Sequence, residues 1–245
     1  VNLSGPQCEI LDNSLLIGLE FVKNLGKHSA QAIIEERSSH GLFVSVGDFV
    51  RRVSMGLDAI ETLILAGAFD FISRNRRVAL WEAGIYPHPL KGQRPLPMEM
   101  NISVPKLEGF TPYEEMLGEY RSMGIYPAGH IMQFVRNSLP YGVSRTSDIY
   151  SMNDKERVSV AGWAIARQHP RGQHGTVFVT VEDETSDVQL IVWPQIFNRF
   201  KHLLKAPLLL AHGEVSRWDG TTNVIVSSLE SIQAETTLPA GHDWH

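Results

Sequence analysis

Gly18 to Arg37 read GLEFVKNLGKHSAQAIIEER, and the turn in the middle of this stretch decides how its surroundings fold. Ile17, Leu19 and Val22 predict an apolar helix entering the turn Asn24-Leu25-Gly26, and Ala30, Ile33 and Ile34 predict a second helix leaving it with one buried face. The pattern is that of a helix-hairpin-helix. Gly26 has no Cβ, so backbone there can approach a ligand closely, and the start of the next helix presents free N–H groups that suit a phosphate. Lys27, His28 and Ser29 add a fixed charge, a conditional charge and a hydroxyl where a nucleic-acid backbone would lie. Taken alone, the same residues also read as an ordinary glycine C-cap between two packed helices.

Further along, GLFVSVG (41–47) is a connector. Asp48 is the expected cap of a short helix over 49–53, Ser54-Met55-Gly56 a second turn, and Leu57, Ile60, Leu63 and Ile64 the buried face of a helix that Gly67 stops. This is a second, degenerate hairpin unit, with Arg51, Arg52 and Gly56 as its candidate phosphate contacts. Taken alone, the two arginines read more readily as a solvated helix face. Ser73 to Gly84 is a further expected helix, with Arg74, Arg76 and Arg77 forming a basic cluster about its start.

From Tyr86 to Pro112 prolines recur at 87, 89, 95, 97, 105 and 112 with no helical or strand period, which predicts a surface-crossing linker. Thr111-Pro112 opens a helix that Glu114 and Glu115 suit electrostatically and Gly124 ends. Another follows from Ile131 to Asn137. His130 at its start is read as a cap or packing residue, because no acid or nucleophile motif accompanies it.

Beyond Val158 the period becomes two. Strands are expected over 158–167, 176–181, 188–193, 208–215 and 223–231, with a helix over 196–204 between the third and fourth and a hairpin at Asp219-Gly220. That order predicts a five-stranded OB-fold barrel, whose second and third strands bind single strands or oligomers. Val177, Val179 and Val181 are expected inside, which leaves Phe178 outward with Trp193 nearby as a stacking platform bordered by Arg167, Arg171, Arg217 and Trp218. Trp193 and Trp218 can equally cover the barrel ends. Glu182, Asp183, Glu184 and Asp187 are read as turn residues in preference to a divalent-ion site.

The expected class is therefore α+β and multidomain: a tandem helix-hairpin-helix domain over 1–85, a connector over 86–150, an OB-fold over 151–235 and a tail over 236–245. Composition agrees with a soluble two-domain protein, at 245 residues, 43% hydrophobic and 20% charged. No apolar run reaches the roughly 20 residues of a membrane span. Cys8 stands alone, so neither a disulfide framework nor a thiolate metal site is expected. The net charge of −5 excludes a generally basic nucleic-acid binder. Lys+Arg against Asp+Glu number 8 to 9 over 1–80, 6 to 7 over 81–150 and 8 to 11 over 151–245, so any DNA contact must use backbone donors and local clusters. No Walker loop, HExxH or nucleophile elbow occurs, so no catalytic residue is assigned. The initial Val suggests a processed product or a piece of a longer polypeptide.

GLEFVKNLG, LDAIETLILAGAFD (57–70), MGIYPAGHI (123–131) and FVTVEDETSDVQLIVWP (178–194), in that order, resemble the C-terminal region of bacterial C-family DNA polymerases, the polymerase III alpha-subunit type. Where that family's first hairpin often has Gly-x-Gly, Asn24 holds the first place here. The ending AGHDWH, soon after the last strand, resembles the error-prone, damage-induced branch in preference to replicative enzymes, which continue into a domain for the clamp loader's tau subunit. The resemblance implies a noncatalytic, cytoplasmic, bacterial region whose hairpins grip primer-template duplex and whose OB-fold meets single-stranded template or a protein. It also implies a mutasome partner related to Y-family polymerases, an indirect link to the sliding clamp, no cofactor here, and Mg in a palm domain that this chain lacks. A protein-docking module and a truncated replicative alpha subunit are the alternatives.

Overall fold

The computed structural model describes residues 1–11, 13–86, 105–170, 175–233 and 242–244, and divides into two units, 1–126 and 127–245. The expected linker over 86–150 is thus apportioned differently. Its residues 87–104 lie outside the described residues, its first helix packs in unit 1 and its later helices belong to unit 2.

Unit 1 begins with a small hairpin, β1 (Glu9–Leu11) and β2 (Ser14–Leu16), that the sequence reading did not anticipate. The expected helix before the turn is only a 3-10 turn, Leu19–Phe21. The N–H groups of Leu19 and Glu20 donate to the carbonyls of Gly5 and Pro6, at 2.9 Å each, so the first residues of the chain occupy the place of a preceding helical turn. Leu19 and Val22 are buried all the same.

Helix α1 (Gly26–His40) then buries Ala30 and Ile33. Helix α2 (Val46–Arg52) starts earlier than expected because Ser45, not Asp48, is its cap: Ser45 Oγ accepts from Asp48 N at 3.0 Å. Asp48 reaches back past the cap to accept from Val44 N at 3.2 Å. Helices α3 (Leu57–Leu65), α4 (Arg76–Ile85, capped by Asn75) and α5 (Pro112–Met123, boxed by Thr111 and Glu114) complete the unit. Its core holds Phe43, Phe49 and Phe69 in two edge-to-face contacts with 4.9 Å between ring centroids.

Unit 2 opens with α6 (Met132–Val135), a 3-10 turn at Arg136–Ser138 and α7 (Thr146–Ile149). The barrel strands are β3 (Arg157–Gln168), β4 (Val177–Glu182), β5 (Asp187–Val192), β6 (Leu208–Trp218) and β7 (Thr221–Ser231), with α8 (Pro194–Phe200) between β5 and β6. The order β4-β5-β7-β6-β3 closes through β3–β4, with β5 and β7 parallel, which is the OB topology. Closure depends on β3, which pairs with β6 up to Trp163 and with β4 from Trp163 onward. Gly162 stands at that bend, where a Cβ would lie 2.8 Å from the Glu182 carbonyl oxygen. Past Ala164, whose N–H still donates to Pro207 O at 2.8 Å, β8 (His242–Trp244), inside the expected tail, pairs with β3 in parallel.

The inward and outward residues follow the expected alternation. Val177, Val179, Val181, Val188, Leu190 and Val192 are buried, and Phe178, Thr180, Gln189 and Ile191 are half-buried on the outside.

Arg76 is the polar centre of unit 1. Its buried guanidinium bonds Asp70 (2.7 Å), Glu119 (2.8 Å) and the Leu65 carbonyl (3.2 Å), joining the end of α3, the start of α4 and the middle of α5. Arg76→Ala would leave Glu119 buried without its cation, so it is expected to destabilise unit 1 by about 3–5 kcal/mol. Denaturant unfolding followed by circular dichroism checks this, and a loss below about 1 kcal/mol, the range of an exposed pair, would contradict it.

Candidate nucleic-acid interface

The hairpin turn is built by two left-handed residues. Asn24 has φ 63° and Gly26 φ 68°, with Leu25 in right-handed helical conformation between them. Asn is among the few residues with a side chain that visit this region readily, so Asn24 preserves a turn that two glycines would also make. Leu25 is a correction to the expected contact residues: its side chain is buried in the core and its N–H donates to Val22 O at 3.3 Å. It anchors the turn from inside.

Helix α1 leaves this turn without a side-chain cap and without an acidic residue in its first turn. In the same unit α2, α4 and α5 are each capped by a side chain, whereas α3 is not. The first N–H groups of a helix have no acceptor within it, and here solvent or a ligand must supply one. Asn24, Gly26, Lys27 and His28 are exposed and Ser29 is half-buried. No atom lies within 4 Å of where a Gly26 Cβ would stand, so the space in front of the turn is open. The second turn is electrostatically different. Gly56 is exposed and α3 is likewise uncapped, but Asp58 puts a carboxylate in the first turn, where α1 has Lys27.

Most of the expected arginines are engaged inside the protein. Arg52 donates to Glu36 (3.0 Å), Asp48 (3.0 Å) and the carbonyls of Glu36, Leu42 and Gly41, and lies 4.4 Å from the Phe43 ring centroid. It fastens α1 to α2 and is withdrawn as a phosphate contact. Arg76 is buried as described, and Arg77 bonds Glu114 and stacks on Phe110. Arg51 stays exposed, 5.8 Å from the Tyr86 ring centroid, and Arg74 is exposed beside the cluster.

The barrel follows the same rule. Arg167 donates to the carbonyls of Leu204 (2.6 Å) and Ala206 (2.8 Å), tying β3 to the segment before β6. Arg217 donates to the carbonyls of Met152 (2.9 Å) and Tyr150. Neither guanidinium borders an open platform as expected, and Arg171 lies outside the described residues.

The aromatic expectation fares differently. Trp193 is 49% and Trp218 79% exposed, so neither plugs the barrel. Phe178 stands opposite Ile191, which stands beside Ile225, giving an apolar outer stripe that Trp193 continues one step past β5. Trp218 pairs with Thr221 at the tip of the β6–β7 hairpin, toward the Asp187 end of the same face. The structure therefore groups Phe178 with Trp193 and leaves Trp218 apart.

The acidic run was read as a turn, and it is a more elaborate one than its composition indicated. Asp183 is buried and accepts from Thr146 Oγ1 (2.6 Å), Thr146 N (2.9 Å), Thr185 N (2.8 Å) and Arg136 Nη2 (2.7 Å). These donors overcome burial and hold its carboxyl well below the ordinary carboxylate range. Arg136 and Thr146, far away in sequence, carried no signal of this role. Among the described residues no group of three His, Cys, Asp or Glu is placed to hold a metal ion, and no helix is long and apolar enough to cross a membrane.

Comparison with known proteins bears on these two surfaces. Residues 1–79 match the family described as "Helix-hairpin-helix motif", and residues 158–232 the one described as "OB-fold nucleic acid binding domain". The "Error-prone DNA polymerase" of Corynebacterium efficiens is 33% identical over 244 residues, 98% of this chain. Over nearly its whole length this chain is similar to error-prone DNA polymerases. Error-prone DNA polymerases of Mycobacterium bovis and Rhodopirellula baltica are each 30% identical, over 93% and 91% of the chain. The chain spans only about a fifth of the length of these polymerases, 20% to 22%.

The Asp183 cluster gives the chain a pH signature. A carboxyl depressed in the folded state stabilises fully above its unfolded value, about 4, and loses that contribution as pH falls further. His130, lowered by burial, acts in the same direction, because the folded state resists protonation as pH falls below about 6.5. Asp183→Asn is expected to cost about 3 kcal/mol at pH 7 and to flatten the stability curve below pH 4, leaving the histidine portion in place. Thermal unfolding from pH 7 to pH 3 checks this; an equally steep decline below pH 4 in the variant would contradict it.

Proposed function

We propose that this chain is a noncatalytic DNA-binding region of an error-prone DNA polymerase acting in translesion synthesis and induced mutagenesis. Its first hairpin holds duplex phosphates behind the primer terminus, and its barrel meets single-stranded template or a protein partner. The observation that carries the reading is the uncapped start of α1, offered to solvent by the left-handed Asn24 and Gly26 and flanked by Lys27 rather than an acid. Backbone N–H groups at a helix start bind a phosphate without any basic surface, which suits a chain of net charge −5.

On the barrel, Phe178, Ile191 and Trp193 offer flat apolar area to unstacked bases. A protein-docking role is the second reading, favoured by one specific feature: β4, β5 and β7 carry no Lys or Arg at all. In the proposed setting the partner is a mutasome protein related to Y-family polymerases, the sliding clamp is met indirectly, and the location is the cytoplasm. Catalytic Mg belongs to a palm domain elsewhere in the polymerase.

Fluorescence anisotropy with a labelled primer-template and a labelled single strand tests the division of labour. Gly26→Val, which forces a β-branched residue to φ near 68°, is expected to weaken duplex binding about tenfold, and Gly26→Asn, compatible with that φ, to weaken it less while unfolding like the parent. Trp193→Ala is expected to leave duplex binding within about twofold and weaken single-strand binding about fivefold or more. Equal loss of both activities in a folded Gly26 variant would contradict the proposal.

A further inference from the structure

A cavity of about 490 Å³ opens beside the β4–β5 turn, lined by Gly129, His130, Gln133, Ile165, Glu182 and Asp187 among others. His130 is only 8% exposed. Its Nδ1 accepts from Met132 N at 3.1 Å, which leaves the proton of the neutral ring on Nε2. Nε2 has no hydrogen-bond partner, and the nearest carboxylate oxygen, Glu182 Oε1, is 3.9 Å away. A buried N–H without an acceptor is uncommon and points to a group that occupies the space when bound.

The other walls restrict what that group is. Asp183 and Glu184 are already held by Arg136, but Glu182 and Asp187 face each other across the end of β4 and β5, and among the described residues no arginine or lysine pairs with either. Ile165 occupies the β3 bulge between Ala164 and Ala166 and supplies an apolar patch. The cavity therefore asks for three things: a positive charge for two carboxylates, a methylene stem against Ile165, and a carbonyl oxygen for His130 Nε2–H. A phosphate chain meets carboxylates here. A divalent ion meets a histidine whose lone pair is already committed at Nδ1.

We infer that this cavity receives a lysine or arginine side chain of a partner polypeptide, with a neighbouring peptide carbonyl accepting from His130. The long aliphatic stem, charged tip and adjacent carbonyl of such a residue match the three walls together. This deepens the reading of the barrel as a docking module and does not depend on the hairpin's grip on DNA.

The test is a titration of the full chain with acetyl-Gly-Arg-Gly-amide to about 10 mM, the range of single-residue contacts, read from the imidazole nitrogen resonances of His130. The expected result is a saturable shift at His130 that weakens at least tenfold in Glu182→Gln/Asp187→Asn. Glu214→Gln removes one exposed carboxylate elsewhere on the barrel and is expected to change the affinity less than twofold. No saturable shift, an equal loss in Glu214→Gln, or a stronger response to an oligothymidylate or to Mg²⁺ alone would overturn the inference. Primer-template anisotropy on the same samples separates outcomes: retained duplex binding with no peptide response defeats the cavity proposal alone.

Discussion

A guanidinium that closes a buried hydrogen-bond network is not available to a phosphate, and this constraint runs through the whole molecule. Arg52 joins α1 to α2, Arg76 joins three helices, Arg167 fixes the approach to β6 and Arg217 holds the carbonyls before β3. Each was a reasonable candidate contact by residue type, and each stabilises fold instead. With these four guanidiniums engaged, the grip proposed for the first hairpin rests on backbone dipoles and Lys27. That arrangement is compatible with the chain's negative charge and needs only a small area of bare helix end.

The barrel meets the same constraint with a different outcome. Strands β4 and β5 have aromatic and aliphatic outer residues toward the Trp193 end and carboxylates at the Asp187 end. One face thus carries two chemistries, separated by the length of one short strand. Stacking on bases suits the first and a cationic partner suits the second, and neither requires the other to be vacant.

The architecture was largely legible because it rests on local rules. The period-two strands, the Asp219-Gly220 hairpin, the Thr111-Pro112 helix start and the Gly124 stop depend on residues within a few positions of one another, and the observed elements agree to within a residue or two at most ends. Ser45 was passed over because Asp48 is also a good capping residue, and only the entry angle of the chain decides between them. The site was less legible, since whether an arginine is free depends on partners far away in sequence, such as Glu119 for Arg76 and Leu204 for Arg167. The left-handed turn was readable from Asn24 and Gly26. The acidic cavity was not, because His130 and Glu182 meet only through the packing of the segment before the barrel onto its end.

The most direct measurement of the central claim is the salt dependence of primer-template affinity for the unmodified chain. A grip made chiefly by helix-start N–H groups and Lys27 releases few counterions, so log affinity against log salt concentration should have a slope of only about −1 to −3. A slope near −6 or steeper would mean that many lysines and arginines neutralise phosphates, and would contradict an account in which Arg52, Arg76, Arg167 and Arg217 are held within the fold.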